Sequence, residues 1–134
     1  MGAWGAGPFE NDDAHDLLGE LSELPADELS GRLEAALAIP ADGYLEVDEA
    51  NAAIAAAGLI AVARGAALDG VDEVVMELAN TDPVQNSARL RAPALAALAR
   101  VTGESSEWQA LWSESETSAA QADAMIEGLR SALA

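Results

Sequence analysis

The chain has 134 residues, the size of one domain able to bury a core of its own. It holds no cysteine, which excludes a disulfide framework, a thiolate metal site and a thiol nucleophile together. Its net charge of −18 opposes phosphate, so neither nucleic acid nor anionic lipid is an expected partner.

Residues 1–10 are rich in glycine and aromatic residues. Gly2, Gly5 and Gly7 bring backbone freedom at close spacing, while Trp4 and Phe9 are large apolar anchors. The expectation is an ordered arm packed on the core, with Trp4 in a pocket against the C-terminal helix. A phosphate-binding loop is not expected, because no strand precedes these glycines and Asp12 and Asp13 would confront the phosphate. Asn11 or Asp12 caps the first helix, whose inward face is Ala14, Leu17, Leu18 and Leu21. Pro25 closes it. Asp27 or Glu28 opens a second helix with Leu29, Leu33, Ala36 and Leu37 inward, and Pro40 ends that one.

After a turn at 41–45, a helix runs from Glu46 or Asp48 to about Leu68, broken by Gly70. It is apolar nearly all round, as befits a helix enclosed by others. Its run from Ala52 to Ala63 is too short to cross a bilayer. Val71, Val74, Val75 and Leu78 mark a short helix, Asp82 and Pro83 a cap and first turn, and Pro93 a further break. Leu95, Leu98 and Val101 form another stripe ended by Gly103. One long helix is then predicted over 105–133, with Trp108, Leu111, Trp112, Ala119, Ala122, Ile126, Leu129 and Leu133 on one face. No segment alternates with period two. The predicted fold is therefore all-α, a single compact domain over 1–134 of about six to seven helices around the Ala-rich one.

The N-terminal run Met-Gly-x-Trp-Gly-x-Gly-x-Phe-x-Asn-Asp, carried here by Gly2, Trp4, Gly5, Gly7, Phe9, Asn11 and Asp12, resembles the signature of a bacterial family catalogued as a domain of unknown function, number 4259. Tyr44–Ala50 and Glu107–Ser115 resemble later segments of that family, so the likeness covers nearly the whole chain. Asp48 and Trp108 depart from its usual Pro and Leu. The resemblance implies no activity, and the signature residues read as structural.

Residues 1–49 hold thirteen carboxylates against one arginine, whereas 83–103 hold three arginines and no carboxylate. His15, the only histidine, sits among Asp12, Asp13 and Asp16. No glycine-flanked serine accompanies it, so a nucleophile triad is not expected. A carboxylate-bridged metal pair would need a second histidine motif, and no calcium loop is present. No catalytic residue, metal or cofactor is assigned. Asp13, Asp16, Glu20 and Glu23 are the candidate partner-facing residues, and a basic protein is the partner their charge fits. No segment resembles a secretory leader, so the expected location is the cytoplasm. The leading reading is an acidic interaction or regulatory module. Its alternatives are an enzyme or small-ligand binder with a cleft between arm and C-terminal helix, and an acidic inhibitor that mimics DNA.

Overall fold

Asn11 sets the start of the first helix. Its backbone is extended and its Oδ1 accepts a hydrogen bond from the Ala14 N–H at 2.8 Å, satisfying one of the donors a helix start leaves open. The structure, a computed structural model, describes residues 5–134. Helix α1 (Asp12–Glu23) buries Ala14, Leu17, Leu18 and Leu21, as their spacing predicts. Pro25 fixes an extended entry to α2 (Ala26–Leu37), whose buried face is Leu29, Leu33, Ala36 and Leu37.

Helix α3 (Val47–Ala63) is the Ala-rich helix, and every side chain from Ala53 to Ala61 is buried. It ends sooner than its composition predicts. Gly65 adopts φ +97°, its N–H donates to Val62 O at 2.9 Å, and the Ala66 N–H donates to Ala61 O at 3.0 Å. That pair of bonds closes a helix through one left-handed residue. Gly65 rather than Gly70 is thus the stop, and Ala66, Ala67 and Leu68 continue the apolar composition without the helix.

Asp72 caps α4 (Glu73–Ala79) by accepting from the Val75 N–H at 3.1 Å. In α5 (Asp82–Gln85) Thr81 occupies the cap position, one residue before the Asp82 that the sequence favoured. A 3₁₀ turn over Ala88–Leu90 leads into α6 (Arg91–Val101). Pro93 lies in the first turn of α6, where a helix uses no N–H, so it belongs to a helix start and is not a break.

The predicted helix over 105–133 is two helices. Ser106 caps α7 (Glu107–Trp112) and Ser115 caps α8 (Glu116–Leu133). The Ser115 Oγ accepts from the Ser118 N–H at 3.1 Å, while the Ser118 Oγ donates back to Trp112 O at 2.8 Å. Local side-chain bonds of this kind compete with the helical ladder, and here they restart it. The described residues therefore form eight α-helices and no strand, more pieces than the six or seven predicted.

Helix α3 lies at the centre and packs against every other α-helix. Its alanines let neighbours approach closely, and leucines from α1, α2, α6 and α8 fill the space around them. A short parallel bridge joins Leu45 to Ser106, with the Leu45 N–H donating to Ser105 O at 2.8 Å and the Glu107 N–H to Leu45 O at 2.9 Å. Glu107 Oε1 accepts from the Val47 N–H at 2.8 Å, so α3 is capped by the residue that begins α7. No helix among the described residues is long and apolar enough to cross a membrane.

Candidate functional site: the arm and the cleft beside it

Phe9 is 1% exposed and joins the main core. It lies over Gly58 in the middle of α3. A Cβ on Gly58 would stand 2.9 Å from Phe9 Cζ and 3.2 Å from Pro8 Cβ, so the interior glycine is the seat of the arm. This contact compensates the roughly 1 kcal/mol that glycine costs inside a helix.

Gly5 and Gly7 of the arm lie against a carboxylate. The Gly7 N–H donates to Glu10 Oε1 at 2.8 Å, and the Glu10 N–H donates back to Gly7 O at 3.2 Å. A Cβ on Gly5 would come within 2.6 Å of that carboxylate, and one on Gly7 within 2.5 Å. Gly70, at φ +78°, closes the same nest from the loop after α3, where a Cβ would meet Glu10 Cγ at 2.8 Å. The glycine-rich turn thus holds an anion of its own. Glu10 falls at an unspecified position of the N-terminal signature, and sequence reasoning missed it. Its partners from residue 70 lie too far along the chain to be read from local pattern.

Gly2 and Trp4 lie outside the described residues. Of the remaining signature residues, Gly5, Gly7, Asn11 and Asp12 meet at a cleft of about 730 Å³ between the arm, the starts of α1 and α3, and α7 and α8. This size is typical of ligand sites. Its apolar lining is Ile54, Trp108, Leu111, Trp112 and Met125. The rings of Trp108 and Trp112 are 6.2 Å apart and tilted by 43°, a favourable aromatic pairing. Trp108 is buried and Trp112 half-buried. Asp12, Asp13 and Glu114 also line it, with Asn51, Ser115 and Ser118 as neutral polar groups and no arginine among the lining residues. A second cleft of about 640 Å³ lies along the loop at 67–69 and α8, and Gly5, Ala6 and Gly7 border both.

The four candidate partner-facing acids have different surroundings. Asp13 is half-buried and its Oδ2 accepts from Asn51 Nδ2 at 2.9 Å, tying α1 to α3. Glu20 is exposed but accepts from Arg32 Nε at 2.7 Å, which holds its carboxyl below the ordinary value of 4.5. Asp16 and Glu23 are exposed, as are Asp12, Asp27 and Glu28. His15 is exposed beside them.

The arginines are spent elsewhere. Arg64 and Arg91 donate through Nε to Ala132 O at 2.8 Å and Leu133 O at 2.9 Å, placing two positive charges on the negative end of α8. Arg100 holds four carbonyls across two loops: Pro40 at 2.9 Å, Gly43 at 2.8 Å, Glu104 at 3.3 Å and Ser105 at 3.4 Å. Among the described residues, which include all 24 side-chain carboxylates, only Glu20, Glu34 and Glu127 lie within ion-pair distance of an arginine. The buried polar side chains Asn11 and Ser106 are spent on helix caps, and Ser87 donates to Val84 O.

The family model described as "Domain of unknown function (DUF4259)" matches residues 2–124. The chain belongs to this family. No curated protein and no solved structure matches it.

Proposed function

We infer that this member of a family whose description carries no activity is a non-catalytic, acidic interaction module of the bacterial cytoplasm, and that its partner is a basic protein. One observation carries this reading: among the described residues three of the six arginines bind backbone carbonyls and the other three each pair with a single glutamate, which leaves most of the 24 carboxylates without an arginine at ion-pair distance. On α1 and α2 the exposed carboxylates outside those pairs include Asp16, Glu23, Asp27 and Glu28. A field of this sign accelerates encounter with a positive surface and repels duplex DNA.

The test compares two variants of equal net charge. One neutralises Asp16, Glu23, Asp27 and Glu28 to their amides; the other neutralises the exposed Glu73, Glu77, Glu104 and Glu116. The probe is a short arginine-rich peptide, titrated at several salt concentrations beside duplex DNA. The first variant weakens peptide binding more than the second, and added salt weakens both. Equal weakening by the two variants, or saturable DNA binding at physiological salt, overturns the reading. The cleft beside the arm favours a second reading, in which a small ligand is held between the arm and α7–α8.

A further inference from the structure

We propose that the cleft between the arm, α7 and α8 receives one arginine of the basic partner, together with the peptide backbone that carries it. The proposal rests on the reading of the chain as an acidic interaction module and assigns it a specificity pocket.

The electrostatics come first. Asp12, Asp13 and Glu114 border the cleft, and no arginine does. The starts of α1, α3 and α8 also face it, and each helix start carries about half a positive charge. Three carboxylates exceed three half charges, so the cleft remains negative and selects a cation. The apolar lining then selects which cation. Trp112 is half-buried against Trp108, and Leu111 and Met125 extend the same surface. A guanidinium stacks on an indole face and forks onto carboxylates, and its three-carbon stem covers apolar surface. A bare metal ion would leave that lining uncovered. At about 730 Å³ the cleft has room for more than one side chain, which is why the occupant includes the flanking backbone. Asn51, Ser115 and Ser118 add neutral polar groups to the lining, with Asn51 Nδ2 already on Asp13, the two serines bonded to each other, and Ser118 Oγ on Trp112 O.

The experiment titrates the full chain with an acetylated and amidated Ala-Arg-Ala peptide, its citrulline counterpart, and acetyl-arginine amide, by calorimetry. Citrulline keeps the shape of arginine and loses the charge. The arginine peptide binds about tenfold more tightly than the citrulline peptide, consistent with two or three partly exposed charge pairs and one stacking contact. Asp12→Asn with Glu114→Gln, two exposed positions whose change does not empty the core, removes that tenfold preference. Trp112→Leu weakens both peptides while the melting temperature is followed as a control for folding. Equal binding of arginine and citrulline peptides overturns the proposal. So does an unchanged preference in the Asp12→Asn, Glu114→Gln variant. Acetyl-arginine amide binding as tightly as the tripeptide replaces the partner segment by a small cation and overturns it as well. If arginine peptides respond only to neutralisation of Asp16, Glu23, Asp27 and Glu28, the interaction reading stands and the pocket falls. If they respond to neither set, both fall.

Discussion

Replacing Gly58 by alanine opposes two effects of known size. Alanine favours a helix interior by about 1 kcal/mol over glycine, so an isolated α3 would gain stability. The new Cβ, however, would stand 2.9 Å from Phe9 Cζ, 3.1 Å from Phe9 Cε1 and 3.2 Å from Pro8 Cβ. Phe9 is fully buried and cannot swing into solvent, so the ring must shift within a packed core. Overpacking of this kind costs about 1–3 kcal/mol. The net result is a loss of about 1 kcal/mol, or a fall in melting temperature of about 3–5 °C for a domain of this size. The decisive measurement repeats the substitution in a Phe9→Ala background. Phe9→Ala alone costs about 3–5 kcal/mol through the cavity it leaves. With the ring gone, Gly58→Ala becomes stabilising, and the change of sign between backgrounds gives a coupling of about 2 kcal/mol in a double-mutant cycle. Thermal melts followed by circular dichroism supply all four values. An equal rise in melting temperature in both backgrounds would refute the placement of the arm on α3.

The Glu20–Arg32 pair gives a pH dependence. Arg32 lowers the Glu20 carboxyl below 4.5 in the folded chain, so the pair's contribution is fully present above that pH and disappears as pH falls through the lowered value. Glu20→Gln lowers the melting temperature slightly at neutral pH and leaves it unchanged in strong acid; a difference that persists in acid contradicts the assignment. Arg100→Leu removes bonds to four carbonyls and lowers stability by about 2 kcal/mol, seen as a shift of the urea midpoint at constant slope. Arg100→Lys recovers only part of it, because a compact ammonium lacks the fork that reaches both loops, and full recovery would show that charge alone suffices.

Helical class and the inward faces of α1 and α2 were legible because leucine spacing reports directly on which side of a helix meets the core. The enclosure of α3 was legible for the same reason, since no face of it is polar. Its end was misread because composition continues through Leu68, although Gly65 following Arg64 already carries the stop signal of a left-handed cap. The break at 113–115 depends on which of several serines caps, a choice settled by the bond from Ser118 to Trp112. Glu10, Gly58 and Gly70 could not be assigned locally, because each owes its role to a partner on another element. The cleft was anticipated as an alternative between arm and C-terminal helix. Its charge was not, because the arginines that were available to line it are drawn to carbonyls at helix ends and loops.

The central position of α3 has a consequence for cooperativity. Each of the other helices rests on it, and from Ala53 to Ala61 it presents no solvent-facing side. A subset of helices cannot therefore detach while α3 stays protected on all sides, and opening any neighbour exposes apolar surface on the same shared element. The domain is built to melt as one unit with few stable partial states. Meanwhile Asp16, Glu23, Asp27 and Glu28 are exposed on the surrounding helices α1 and α2, away from the buried stretch of α3. Mutation can redraw the acidic surface, and with it the choice of partner, while the unit that folds is left as it was.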